Sequence, residues 1–194
     1  AALNNLLAAA SRYRHVAEPS GYHFEVPGSI DMFEVVERMP GTATTDFGAP
    51  SALLTSDQQA LEDADIERLT SLLTACWAAF DRALRRIAPD AYSVKPERGR
   101  SAEAIRLHLL EADLMHLSAF GPAFRQPELA RLEEQEAMVR EQIIARLQAL
   151  SRGEIIAPLR RYGFAWTPRF AVRRSAWHAL DHAWELRDRE EMYR

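Results

Sequence analysis

The feature that most constrains the fold is a ladder of apolar residues at helical spacing in the middle of the chain. Its members step by three and four positions, which places them on one face of an α-helix. A helix of this kind gains most of its stability in water by burying that face against other elements. The ladder therefore predicts helices packed on one another, and it consists of Ile66, Leu69, Leu73, Cys76, Phe80, Leu84 and Ile87.

Three later stretches show further helix signals. Ser101 and Thr167 are good N-caps, and Pro127 and Pro168 stand where proline is favoured in a first helical turn. We therefore expect a mostly α protein whose residues 57–194 form a four-helix bundle. The predicted helices run from Asp57 or Asp65 to Ile87, from Ser101 to about Ala119, from Pro127 to about Leu150, and from Thr167 to about Arg189.

The first 56 residues have a different texture. A short amphipathic helix ends near Val16, and the runs 22–26 and 33–38 are rich in β-forming residues and bounded by Pro-Gly pairs. Two strands alone are marginally stable, so this segment should pack on something larger. We expect residues 1–56 to form a small N-terminal extension of α+β or irregular structure, and no function is assigned to it.

Composition excludes several classes of protein. The net charge of −4 and pI near 5.9 argue against a chain-wide basic surface for nucleic acid, and no apolar run reaches the ~18–20 residues of a membrane span. The single cysteine, Cys76, allows neither an internal disulfide nor a multi-cysteine metal site. No charged region followed by a long apolar core is seen, so we expect a cytoplasmic protein without nucleic-acid or membrane partners.

Two histidines stand one helical turn apart near the C-terminal end. His178 and His182 occur in the string W-H-A-L-D-H-A-W-E-L, and their Cβ atoms should lie ~5–6 Å apart on a helix. Both imidazoles could then bind one metal ion, although such a pair also occurs on solvated helix faces or beside a carboxylate. A third ligand would have to come from another helix. His108 and His116 lie on the core-facing arc of the second predicted helix, where a histidine is more often a hydrogen-bonded core residue.

Residues 174–189, R-S-A-W-H-A-L-D-H-A-W-E-L-R-D-R, resemble the last helix of DinB-like (DinB/YfiT-like) proteins. The string I-R-L-H-L-L-E-A-D, residues 105–113, resembles the second helix of the same superfamily of four-helix bundles. The resemblance spans about residues 60–190. It implies a divalent ion held by His108, His178 and His182 with one position open, frequent homodimers, and thiol-dependent transferase or isomerase chemistry in some members, as in the mycothiol-dependent maleylpyruvate isomerases.

His116 stays the alternative third ligand, about two turns further along the helix than His108. Three imidazoles suit zinc or nickel, with iron or manganese as alternatives. Three neutral ligands leave the charge of the ion uncompensated, so it would lower the pKa of a bound water or thiol. We therefore expect a metal-dependent hydrolase or thiol transferase acting on a small molecule, with any thiol supplied as a low-molecular-weight co-substrate. The competing hypothesis is a non-catalytic dimeric bundle that serves as an interaction or stress-response protein.

Several neighbours of the pair are candidate site residues. Glu185 lies on the same arc and could be a fourth ligand or a general base, whereas many DinB-like proteins have an Arg-Gly-Gln-like sequence after the last histidine. Asp181 is the candidate partner that fixes an imidazole tautomer, or else a solvent-facing residue. Arg174 and Trp177 are candidate substrate contacts, although Trp177 and Trp184, seven residues apart, could instead form a packing stripe between helices or subunits. The arginines of residues 152–174 could hold an anionic substrate or pair with the acidic third helix.

Overall fold

The computed structural model describes residues 2–46, 48–122, 124, 131–158 and 164–192. In these ranges the chain is mostly helical and contains no β-strand, which confirms the predicted fold class at this level. Three short 3-10 helices, Glu18–Ser20, Ile30–Met32 and Ser56–Gln58, accompany the α-helices. The α-helices are α1 (Ala2–Ala17), α2 (Ala43–Asp46), α3 (Asp63–Leu84), α4 (Ala102–Ala119), α5 (Leu132–Ser151) and α6 (Pro168–Met192).

The four long helices α3 to α6 pack on one another around one core. The most extensive contact is between α3 and α6, while α4 packs on both α5 and α6. The apolar ladder of α3 faces this core, with Leu73 and Phe80 fully buried. None of the described helices is long and apolar enough to cross a bilayer.

Helix boundaries follow the predicted capping signals where the structure describes them. The side chain of Ser101 accepts a hydrogen bond from the backbone N–H of Ala104 at 3.1 Å, and Thr167 accepts one from Phe170 at 3.3 Å. α3 begins at Asp63, between the two predicted starts. Pro127 lies outside the described residues, and α5 is described from Leu132 onward.

The N-terminal extension is a helix followed by irregular structure. Residues 22–26 and 33–38 form no strand, although both runs are rich in β formers. Their aromatic side chains are used differently: Phe24 and Phe33 line a groove of about 420 Å³ between α1 and α6, and the Phe24 ring lies edge-on to Tyr13 at 5.1 Å. The packing of these rings against helices stabilises the segment in place of strand pairing. Of the two predicted forms of the extension, α+β or irregular, the structure therefore shows the irregular one.

Among the described arginines of the 152–174 stretch, Arg169 and Arg173 pair with α3 and the segment before it, Arg152 pairs with Glu154, and none pairs with a carboxylate of α5. Arg169 Nη2 lies 2.6 Å from the Asp65 carboxylate, and Arg173 contacts Asp57. Arg160 and Arg161 lie outside the described residues. These ion pairs hold the start of α6 against the start of α3 and the segment before it. Because Arg169 and Arg173 are already paired with carboxylates, they do not support the prediction that this stretch binds an anion.

Cys76 and Asp113 are two ionisable groups buried in the core. Burial raises the pKa of the Cys76 thiol to about 12, so this cysteine is a core residue without nucleophilic character. Asp113 is 3% exposed; its Oδ2 atom accepts a hydrogen bond from Trp77 Nε1 at 3.1 Å, while Oδ1 has no hydrogen-bond partner among the described residues. Burial raises the pKa of Asp113 to about 7, which means that the folded chain holds this proton more strongly than the unfolded chain does.

The Asp113→Asn variant should remove a pH dependence of stability. Folding raises the pKa of Asp113, so proton binding at this residue adds to the free energy of unfolding. That contribution is complete at low pH and is lost as the pH rises to about 7. The free energy of unfolding of the wild type relative to Asp113→Asn should therefore fall by about 2 kcal/mol between about pH 5 and pH 7. Urea unfolding of both proteins measures it, with the exposed Asp90→Asn variant as control. A difference that does not change with pH would contradict the prediction.

Candidate metal centre

Helices α4 and α6 bring three imidazoles together. The Nε2 atom of His178 lies 3.2 Å from Nε2 of His108 and 3.1 Å from Nε2 of His182. The ligand atoms of all three residues lie within 4.8 Å of one another. His178 and His182 meet because they are one turn apart on α6, and His108 joins them because α4 packs on α6. The three histidines are therefore close enough to bind one metal ion.

The two nitrogen separations at His178 fit the spacing of ligands on one metal ion. Two nitrogen ligands at about 2.0–2.1 Å from one ion are ~3.3–3.4 Å apart in tetrahedral geometry and ~2.8–3.0 Å apart in octahedral geometry. The observed separations of 3.1 and 3.2 Å fall between these values. The rings stand steeply to one another, with interplanar angles of 62° to 88°, so their nitrogen atoms converge without the rings stacking.

Burial keeps the imidazoles of His178 and His108 in the neutral form that a metal ion requires. His178 is 9% exposed and His182 is 7% exposed, while His108 is half-buried. Burial, reinforced by the neighbouring imidazoles, lowers the pKa of His178 to about 3, and burial also lowers the pKa of His108. At neutral pH these two nitrogen lone pairs are consequently available, without competition from a proton.

Glu185 holds the opposite side of the His182 ring. Its Oε2 atom accepts a hydrogen bond from His182 Nδ1 at 2.8 Å, which leaves the Nε2 lone pair directed at the cluster. This hydrogen bond is the main cause that holds the pKa of Glu185 below its ordinary value. A carboxylate on the outer nitrogen of a histidine is the usual way in which proteins fix the tautomer and the orientation of a metal-binding imidazole.

Arg189 continues this chain of contacts. It contacts the Oε1 atom of Glu185 and donates to the backbone carbonyl of Arg100. The neighbouring Gly99 has φ of +94°, and a Cβ atom there would lie 2.5 Å from Arg189 Nη2. The connector between α3 and α4 can pass this close to Arg189 because residue 99 is glycine. Sequence reasoning missed Arg189, although its spacing of four residues from Glu185 was a usable signal.

Asp181 is placed away from the histidine cluster. Its side chain is exposed and lines the groove between α1 and α6, together with Trp177 and Trp184. The carboxylate that reaches His182 is therefore that of Glu185. The reason is helical geometry, because residues three apart lie almost above one another whereas adjacent residues diverge by about 100°.

The two predicted substrate contacts lie beside His178. The Trp177 ring is stacked against the His178 ring at 5.8 Å with an interplanar angle of 18°. The guanidinium of Arg174 lies 5.1 Å above Trp177 and donates to the carbonyl of Pro50 at 3.3 Å. Trp177 thus packs directly on His178 and Arg174 packs on Trp177, while the role of both side chains toward a substrate stays a prediction.

His116 lies deeper in the core than the three clustered histidines. It is 1% exposed, its Nδ1 atom is 3.0 Å from Ser175 Oγ, and its ring centre is 6.1 Å from that of His178. Of the two histidines on α4, the structure brings His108 to the pair on α6. His116 instead belongs to a buried polar group, whose member Ser175 carried no signal in the sequence.

Comparison of the chain with protein-family models, with curated proteins and with solved structures gives no match. The likeness to DinB-like proteins consequently rests on the histidine motif alone. A function for this chain must be argued from the donor atoms at His108, His178 and His182 and from the groups that surround them.

Proposed function

We propose that this chain is a metal-binding protein that holds one divalent ion on His108, His178 and His182. The observation that carries the proposal is the convergence of three Nε2 atoms with separations of 3.1 and 3.2 Å at the central histidine. Zinc or nickel suits this all-nitrogen donor set, with iron or manganese as alternatives.

The proposal includes a four-helix bundle of DinB-like type. Two features support it: the four long helices contact one another, and the ligands come from the second and the last of them. This arrangement agrees with the resemblance between residues 105–113 and 174–189 and the ligand-bearing helices of DinB-like proteins. The homodimer and the cytoplasmic location stay predictions.

The proposed centre has an open coordination position. The cluster contains three histidines, and both oxygen atoms of Glu185 are already engaged, one with His182 and the other with Arg189. A divalent ion with three neutral protein ligands lowers the pKa of a water molecule or thiol that takes the remaining position. His108 is half-buried, so the cluster lies near enough to the surface for a small molecule to approach.

Glu185 then acts as a positioning residue instead of a ligand or a general base. It keeps the proton of His182 on Nδ1, and Arg189 keeps Glu185 in place. This role is the one that the sequence suggested for Asp181. Ionised carboxylates in this outer position raise the basicity of the imidazole toward the ion.

The reaction that fits best is hydrolysis or thiol-dependent transfer or isomerisation of a small molecule. Cys76 is too deeply buried to serve as a nucleophile, so a thiol would enter as a co-substrate of low molecular weight. The competing function, a non-catalytic bundle in interaction or stress response, would leave the metal centre without a reactive position.

Alanine variants should separate the ligands from the other histidines. Purified without a histidine tag and titrated with Zn²⁺, the wild type should bind about one ion per chain. His108→Ala, His178→Ala and His182→Ala should each lower the zinc affinity at least about tenfold, because two imidazoles do not close a site. His116→Ala and the exposed His15→Ala should retain it. Full affinity in His108→Ala with loss in His116→Ala would contradict the assignment.

The Glu185→Gln variant should weaken binding without changing the ligand set. Loss of the ionised partner of His182 should lower zinc affinity about 10–100-fold while the stoichiometry is kept. The absorption spectrum of the Co²⁺-loaded variant should match that of the wild type, since the coordinated atoms are the same. Asp181→Asn serves as control and should leave the affinity unchanged. A changed Co²⁺ spectrum in Glu185→Gln would show that Glu185 is a ligand.

Catalysis should depend on the loaded centre. Panels of activated esters, amides and thiol conjugation substrates should be screened with the metal-loaded wild type and with His178→Ala, whose signal should fall at least about 100-fold. Activity that is equal in both proteins would come from elsewhere. A metal-loaded protein whose coordination is saturated by protein atoms, and which is inactive across the panel, would favour the non-catalytic alternative.

A further inference from the structure

A second concave site lies between α1, the end of α3 and α6. It encloses about 600 Å³ and is separate from the histidine cluster. Five arginines and one histidine line it, and no carboxylate is among the lining residues that the structure describes. The basic side chains are Arg12, His15, Arg82, Arg85, Arg86 and Arg187.

The shape of this basic pocket comes from small residues where two helices meet. Ala79 and Ala83 of α3 and Ala183 of α6 line it, and the side chain of Trp184 forms part of its wall. Alanines let α3 and α6 approach closely and leave a depression between the longer side chains around it. A concave apolar surface surrounded by guanidinium groups can accept the body of a small molecule and its charged groups together.

The pocket is strongly basic although the chain as a whole is acidic. The protein has a net charge of −4, yet basic groups from three helices converge here. Arg82, Arg85 and Arg187 form no ion pair with any carboxylate in the described ranges, although ion pairs are frequent elsewhere on the molecule. Cations stabilise the C-terminal end of a helix by their interaction with the helix dipole, which explains Arg82 and Arg85 at the end of α3. This effect does not explain Arg12 on α1 or Arg187 on α6.

One of the guanidinium groups is held in place before any ligand arrives. Arg12 binds Asp188 through two hydrogen bonds of 2.8 and 3.2 Å, and its guanidinium lies 4.8 Å from the centre of the Trp184 ring. A fixed arginine loses little conformational entropy when an anion binds. The neighbouring Arg187 is half-buried on the same helix as Trp184 and adds a second positive charge.

We propose that this pocket binds a small anion carrying two or more phosphate or carboxylate groups. Planar guanidinium groups bind such oxygen atoms in pairs, and several of them around one cavity select a multiply charged ligand over a singly charged one. The proposal is independent of the metal centre, because none of the three clustered histidines lines the pocket.

Calorimetric titration with inorganic pyrophosphate tests the proposal. The double variant Arg82→Gln/Arg187→Gln should lower the affinity at least about tenfold, and added salt should weaken wild-type binding. The matched control Arg38→Gln/Arg98→Gln removes the same charge from exposed positions outside the pocket and should stay within about twofold of the wild type. His178→Ala should bind pyrophosphate as the wild type does, which separates this site from the metal centre.

Vesicles that contain an anionic phosphoinositide distinguish the source of the anion. If Arg82→Gln/Arg187→Gln loses pyrophosphate binding and the control variant keeps it, the ligand is a free small anion. If vesicle binding is lost in the same variant and kept in the control, the ligand is a lipid headgroup. Equal loss in the pocket and control variants, or no binding of either probe to the wild type, would overturn the proposal. Thermal unfolding of each variant should stay near that of the wild type, since Arg38, Arg82 and Arg98 are exposed and the half-buried Arg187 forms no ion pair with a described carboxylate.

Discussion

The close packing of α6 against α3 is the interaction on which the rest of the structure depends. Buried alanines on both helices, Ala83 on α3 and Ala179 and Ala183 on α6, allow this approach, and Arg169 secures the beginning of α6 to Asp65. With one face fixed on α3, the remaining faces of α6 are directed at α4 and at α1. The histidine pair consequently meets His108, while Trp177 and Trp184 meet the N-terminal segment.

Polar groups in the interior lie along α4, where two of them face α6 and the third faces α3. The three clustered imidazoles, His116 with Ser175, and Asp113 with Trp77 occupy positions that apolar residues would fill in an ordinary helical core. Burying them costs free energy unless each finds a partner. Asp113 meets this cost by keeping its proton, and the histidines would meet it by sharing one metal ion, so the fold and the proposed centre support each other.

The two sites use α6 in different ways. At the proposed metal centre, imidazoles converge and the Glu185 carboxylate stays on the outer side of His182. At the basic pocket, cations converge and the Asp188 carboxylate orients Arg12. In both places a carboxylate fixes the geometry of another side chain, and the centre of the site is left to the ligand proposed above, a cation in one case and an anion in the other.

The sequence by itself determined those features that depend on residues close together along the chain. The ladder of α3, the caps at Ser101 and Thr167, and the turn that joins His178 to His182 all follow from helical spacing and hydrogen bonding within a few residues. Contacts between elements were decided by tertiary structure. His108 and His116 share one arc of α4, and the position of α4 along α6 brings only His108 into the cluster. The runs 22–26 and 33–38 form no strand, because the described residues contain no other strand with which they could pair. Their aromatic rings pack instead in a groove between helices.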